Sequence, residues 1–73
     1  MMILYGTSAC HLCEQAESML VQQGAEFRSV DISDSDELFE RYGLTIPVLQ
    51  NDNGQELNWP FSPLQLAEFL ARA

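Results

Sequence analysis

The chain contains no lysine. Its fixed cations are Arg28, Arg41 and Arg72, set against 11 aspartates and glutamates, and the formal net charge is −8. A face that binds nucleic acid needs clustered cations to neutralise phosphates, so no nucleic-acid partner is expected. The same shortage argues against docking on an anionic membrane surface. Long hydrophobic runs are also missing, and nothing approaches the ~20 apolar residues of a membrane span. The first residues, Met1-Met2-Ile3-Leu4-Tyr5, have neither a basic region nor a long apolar region, so no secretory signal is expected and the cytoplasm is the expected compartment. Cysteine is scarce too: Cys10 and Cys13 are the only two, too few and too close together to act as a structural disulfide framework for 73 residues. Repeats, low-complexity tracts and linkers are absent, which leaves a single domain over residues 1–73. A chain this short buries only roughly 60% of its unfolded surface. Its stability must come from packing, for which an apolar content of 47% is adequate. The acid excess is read first as a solvated surface that keeps the protein soluble, with a basic partner protein as the alternative.

What is present is patterned. Met1 to Tyr5 is a short continuous apolar run, as expected of a strand buried on both faces. Gly6-Thr7-Ser8-Ala9 reads as a loop, with Ser8 as a helix N-cap. From Cys10 the spacing turns helical, with Leu12, Ala16, Met19 and Leu20 as the buried stripe and Gly24 as the C-terminal stop. Glu26 to Ile32 predicts a second strand. A second helix begins at Asp34, with Glu37 completing a capping box, Leu38, Phe39 and Tyr42 on its apolar face, and Gly43 at its close. Ile46-Pro47-Val48-Leu49 opens a third strand, and Asn51-Asp52-Asn53-Gly54 is a hairpin turn leading to a fourth at Gln55 to Trp59. Pro60 ends it. Ser62 caps a last helix with Pro63 in its first position, and Leu64, Leu66, Ala67, Phe69 and Leu70 supply its buried face. The order β-α-β-α-β-β-α predicts an α/β fold: a four-stranded mixed sheet with helices on both faces, the first two strands parallel through a helical crossover.

The chemistry lies in Cys10-His11-Leu12-Cys13. Thiol–disulfide exchange needs a thiolate to attack a disulfide sulfur, and a free cysteine, with a pKa of about 8.5, is mostly thiol at neutral pH. A helix N-terminus offers unpaired N–H groups and a positive partial charge, both of which stabilise an anion. Cys10 falls at that point in the pattern and is the expected nucleophile. Cys13, almost one turn further in and on a more buried side, is the expected resolving thiol. His11 as imidazolium would favour the Cys10 thiolate; pointing to solvent, it would do little. Glu14 and Glu17 act in the opposite sense if close. The second informative stretch is Thr45-Ile46-Pro47. A proline entering a strand is ordinarily trans. A cis bond here would turn the Ile46 backbone toward the thiols, where its N–H and C=O would pair with an extended substrate.

The chain resembles the glutaredoxins of the thioredoxin superfamily, and within them the short bacterial glutaredoxin-like proteins. The resemblance rests on the strand before Tyr5-Gly6-Thr7, on Cys10-His11-Leu12-Cys13-Glu14-Gln15-Ala16, on Tyr42-Gly43-Leu44-Thr45-Ile46-Pro47-Val48-Leu49 and on Gly54-Gln55-Glu56-Leu57-Asn58-Trp59-Pro60-Phe61. It covers nearly the whole chain in order, and a C-x-x-C followed some thirty residues later by Thr-Ile-Pro-Val is a specific combination. It implies a thioredoxin fold, a nucleophilic Cys10, a resolving Cys13 and a cis Pro47. Three departures bear on glutathione. The lysine that glutaredoxins carry three residues before the first cysteine is replaced by Thr7. Their Pro-Tyr between the cysteines is His11-Leu12. Their Gly-Gly and Asp before the last helix give way to Leu57-Asn58-Trp59-Pro60-Phe61-Ser62. Since glutathione and this chain are both net negative, its docking is weakened.

The function expected is therefore that of a thiol–disulfide oxidoreductase acting on a disulfide-containing protein or a low-molecular-weight thiol, re-reduced by a reductase. No tightly bound cofactor is expected, glutathione is expected at most as a cosubstrate, and the chain is expected to be a monomer. Two other classes compete. A metal or iron–sulfur carrier would use cysteine thiolates, but Cys10, Cys13 and the adjacent His11 are too few and too crowded for a closed tetrahedral site, so no metal ligands are assigned and only a cluster shared between two chains would serve. A binding module with vestigial thiols would dock a partner along Ile46-Pro47 and would be indifferent to Cys10→Ser. Trp59 and Phe61 are read as core at the sheet edge in preference to an aromatic wall beside the thiols.

Overall fold

A computed structural model describes residues 1–72. The elements run β1 (Met2–Gly6), α1 (His11–Gln22), β2 (Phe27–Asp31), a 3-10 turn (Ile32–Asp34), α2 (Asp36–Tyr42), β3 (Val48–Gln50), β4 (Glu56–Asn58) and α3 (Pro63–Arg72). The four strands form one sheet in the order β2-β1-β3-β4. β1 is parallel to β2 and antiparallel to β3, and β3 is antiparallel to β4. This is the expected α/β architecture, with the thioredoxin-like order of elements.

Strand alternation divides the core. Successive strand residues face opposite sides of a sheet, so Leu4 and Tyr5, or Val48 and Leu49, cannot share a side. Leu4 and Leu49 pack with Ala16 and Leu20 of α1, Phe61, and Leu66 and Phe69 of α3. Tyr5 and Val48 pack on the other side with Ile32 and Tyr42. Helices α1 and α3 therefore cover one face, and the 3-10 turn with α2 covers the other. Leu20, Leu49 and Leu66 are fully enclosed, and truncating any of them to alanine would cost about 2–5 kcal/mol.

Several boundaries and faces differ from the sequence expectation. α1 is capped by Cys10 and not by Ser8, which is exposed in the preceding turn. The buried stripe of α1 is Cys13, Ala16 and Leu20, while Leu12 is 44% exposed and Met19 half-buried. The helix phase is set by Ala16 and Leu20, and that phase carries position 13 inward. The cap of α2 falls one residue later than expected, because Asp34 closes the 3-10 turn and the Ser35 hydroxyl takes its place, accepting from the Leu38 N–H at 3.3 Å. Phe39 is exposed, and so are Leu64 and Ala67, because two inward-facing residues per helix, a turn apart, satisfy such short segments: half-buried Leu38 with buried Tyr42 in α2, and buried Leu66 with Phe69 in α3. β3 begins at Val48, so Ile46 and Pro47 precede the strand.

The expected stops hold. After α1, the Gly24 and Ala25 N–H groups return to the carbonyls of Val21 and Leu20, with Gly24 at φ 69°, the reciprocal pattern of a left-handed helix stop. At the start of α3, Ser62 and Gln65 exchange two bonds: the Gln65 N–H donates to Ser62 Oγ and the Ser62 N–H to Gln65 Oε1. The β3–β4 loop is organised by the buried Asn51, whose Oδ1 accepts from the Asn53 and Gln55 N–H groups, both at 3.0 Å. Trp59 meets Phe61 edge-on at 5.0 Å between centroids, and both join the core on the α1–α3 side. Among the described residues no helix is long and apolar enough to cross a membrane.

Candidate active site

The site is assembled at one end of the central strand. β1 ends at Gly6, and the chain then turns through Thr7-Ser8-Ala9 into Cys10, whose extended backbone (φ −117°, ψ 107°) places it as the N-cap of α1. The Cys13 N–H donates to Cys10 Sγ at 3.1 Å. The sulfur thus occupies the position that a serine or aspartate oxygen fills in an ordinary cap. That geometry aims the positive end of the helix, and one of its unpaired donors, at the sulfur.

Cys10 and Cys13 are disulfide-bonded, with Cα atoms 5.2 Å apart. Cys10 is half-exposed, whereas Cys13 is 6% exposed. Cys13 fits because the residue beside it is Gly6: a Cβ built there would stand 2.9 Å from Cys13 Sγ and 3.2 Å from Cys13 Cβ. The sequence showed Gly6 only as a loop residue. Its close contact depends on how α1 lies across β1.

The other expected site residues are placed as follows. The His11 side chain is 82% exposed, and its Nδ1 lies 3.6 Å from Glu14 Oε2. It faces solvent and a carboxylate. Thr45 is exposed and its hydroxyl donates to the Tyr42 carbonyl. The Ile46 N–H also donates to the Tyr42 carbonyl, at 3.1 Å, so the expectation that this N–H is offered to a substrate is corrected: α2's last turn already uses it. The Ile46–Pro47 bond is cis and Pro47 is buried. The Trp59–Pro60 bond is also cis, which nothing in the sequence pattern indicated. Tyr5 pairs with Val48 in the antiparallel ladder. Continuing that register by one residue sets Pro47 opposite Gly6, at the end of the sheet that carries Cys13.

Sequence reasoning missed the flank formed by β2. Gly6 pairs with Asp31, and a cleft of about 280 Å³ opens there, lined by Thr7, Cys13, Glu14, Glu17, Ser29 and Asp31 among others. Hydrogen bonds from the Ser33 hydroxyl and N–H, with a further one from Thr7, hold the Asp31 carboxyl below its usual range. Glu17 accepts from the Ser29 hydroxyl at 2.7 Å across the α1–β2 gap. The arrangement presents a half-exposed sulfur at a helix N-terminus, a second sulfur beneath it, and a polar, acidic cleft on the buried sulfur's side.

Comparison with known proteins agrees with this geometry. The family described as glutaredoxin-like domain (DUF836) matches residues 1–71. The crystal structure of the structural-genomics target protein XcR50 from X. campestris superposes with a TM-score of 0.93 at 42% identity, covering 100% of this chain and 99% of that one. The solution structure of XcR50 gives 0.89 at 42% identity, covering 99% and 94%. The solution structure of protein Ne2328 from Nitrosomonas europaea shares the fold, with a TM-score of 0.71 at 24% identity over 93% of this chain and 87% of that one. No curated protein matches the chain.

Proposed function

This chain belongs to the glutaredoxin-like domain family, and from that premise we propose that it is a thiol–disulfide oxidoreductase that cycles Cys10 and Cys13 between dithiol and disulfide. The observation that carries the proposal is the Cys13 N–H donated to Cys10 Sγ at the N-terminus of α1. A donor fixed on the sulfur stabilises it as an anion without any change in the backbone.

In the cycle, the Cys10 thiolate attacks a substrate disulfide, forming a mixed disulfide and expelling one substrate thiol. Cys13 then attacks Cys10 Sγ, closing the internal disulfide and releasing the second substrate thiol. The substrate gains two electrons and the protein loses them. An external dithiol, or two monothiols, restores the pair. The exposed Thr45 and the Ile46 carbonyl, ahead of the buried Pro47, would receive an extended segment of a disulfide-containing protein, and a low-molecular-weight disulfide would need less of this surface. Glutathione is the weaker cosubstrate on electrostatic grounds. The net charge is −8, and Thr7 replaces the cation that would hold a glutathione carboxylate. The reading places the protein in the cytoplasm as a monomer, reduced by a partner reductase.

The test is turnover of a disulfide substrate with either glutathione and its reductase or a thioredoxin reductase as the electron source. At least one should sustain turnover. Cys10→Ser should abolish it, and Cys13→Ser should accumulate the mixed disulfide. No turnover with any reductant, together with a Cys10 no more reactive than cysteine in an unfolded peptide, would overturn the proposal.

A further inference from the structure

We propose that Glu17, fixed by Ser29, accepts the proton of Cys13 during the second exchange step. The inference rests on the oxidoreductase reading above and assigns that reaction a further residue. Once the pair is reduced, Cys13 is a thiol in a site 6% exposed to solvent. Thiols in apolar, buried surroundings stay protonated, yet only the thiolate attacks. Its proton therefore needs an acceptor that is already in place.

Three carboxylates line the cleft that Cys13 opens onto: Glu14, Glu17 and Asp31. Asp31 Oδ1 accepts from the Ser33 N–H and hydroxyl at 2.9 and 2.7 Å, and these bonds hold the carboxyl below its usual range, which makes it a poor proton acceptor. The Glu14 side chain is 70% exposed and faces His11. Glu17 remains. It follows Cys13 by four residues on α1, so the two share one face of the helix. Helical side chains lean toward the N-terminus, so a glutamate one turn after a cysteine can reach back toward it, and here both residues line the same cleft. The Ser29 hydroxyl on β2 holds Oε1 at 2.7 Å, leaving Oε2 to take a proton. No arginine lines the cleft among the described residues, so no fixed cation competes for that oxygen.

The step balances. The bond between Cys10 Sγ and the substrate sulfur breaks, and its electron pair leaves with the substrate as a thiolate, which takes a proton from solvent. The bond between Cys13 Sγ and Cys10 Sγ forms as the Cys13 proton passes to Glu17, directly or through one water in the cleft. Glu17 returns that proton to Cys13 when the pair is next reduced.

The test uses the reduced full chain and 2,2′-dipyridyl disulfide, an uncharged probe that releases a coloured thione at each exchange. The first, concentration-dependent release reports attack by Cys10. The second, concentration-independent release reports attack by Cys13. In Glu17→Gln the second phase should slow by about 100-fold near neutral pH, the lower end for a lost proton acceptor, while the first phase stays within about twofold. The wild-type second phase should stay nearly level between about pH 6 and 8, whereas that of Glu17→Gln should climb about tenfold per pH unit as hydroxide becomes the acceptor. Glu17→Asp should recover part of the rate. Glutamine keeps the Ser29 bond, so the fold is retained, and Ser29→Ala, which only frees the carboxylate, should give a smaller slowing of the second phase alone. A second phase unchanged in rate and pH dependence would overturn the role of Glu17 and leave the oxidoreductase reading standing. Absence of the first phase would overturn both.

Discussion

Gly6 and Cys13 stand in direct contact: a methyl group added at Gly6 would lie 2.9 Å from Cys13 Sγ, closer than a Cβ and a sulfur can approach. The strand end and the second sulfur are thus fitted to each other, and neither side can give way easily. The sulfur belongs to a short side chain tied into a disulfide, and the glycine is locked by its ladder partner Asp31.

Gly6→Ala therefore forces α1 or its disulfide to shift. Overpacking of this kind costs about 1–3 kcal/mol, which for a chain of this size lowers the melting temperature by at least about 4 °C. Thermal unfolding of the oxidised protein checks it. An unchanged midpoint would mean that the contact relaxes at no cost.

The two sulfurs should differ in reactivity toward a small alkylating agent. Cys10 is half-exposed and capped by the Cys13 N–H, while Cys13 is enclosed. Comparing the single variants Cys13→Ser and Cys10→Ser at neutral pH, iodoacetamide should label Cys10 at least about tenfold faster than Cys13. Equal rates would remove the physical basis for assigning nucleophile and resolving roles.

Asn51 is a buried polar side chain whose carbonyl oxygen satisfies two backbone N–H groups and whose amide donates to Gln55 Oε1. Asn51→Ala leaves those N–H groups without a partner, at a cost of about 1–3 kcal/mol. Asn51→Asp keeps both acceptor bonds and should lose less. Urea unfolding of the three proteins should rank them wild type, Asp, Ala. Any other order would show that the loop repairs itself.

Tyr42 is raised to about 12 by burial first and then by the Glu56 carboxylate that accepts its hydroxyl proton. The folded protein thus holds the phenol proton more tightly than the unfolded chain, where tyrosine titrates near about 10. The sign follows from linkage: this stabilisation is complete below the unfolded value and is lost as the pH rises through the folded one. Stability should therefore fall between about pH 10 and 12, and Tyr42→Phe should flatten that part of the profile. Denaturant midpoints across this range, with phenolate absorbance recorded in parallel, would show whether Tyr42 is the group responsible.

Much of the fold is legible from local chemistry. Adjacent apolar residues in β1 and β3 demand a sheet covered on both sides, Ser62-Pro63 and Gly24 punctuate helices, and C-x-x-C at a strand-to-helix junction states its own chemistry. Local signals fail where two candidates compete within one turn. Ser8 and Cys10 are both able to cap, and Asp34 and Ser35 likewise. The winner is the residue that the packing of the helix behind it leaves in the right conformation. Leu12 against Cys13 is decided the same way. Hydropathy favours the leucine, but the phase fixed by Ala16 and Leu20 buries the sulfur.

The sequence by itself determined the element order, the two-sided sheet and the identity of the disulfide pair, because each follows from spacings within a few residues. Only the tertiary structure decided the rest of the site. It placed Gly6 under Cys13, spent the Ile46 N–H on Tyr42, tethered Glu17 to Ser29 and opened the cleft beside the buried sulfur. Each of these joins residues that are distant along the chain or lie on different elements. They meet only when α1 settles on the sheet at the depth its buried stripe allows, and no local spacing encodes that depth.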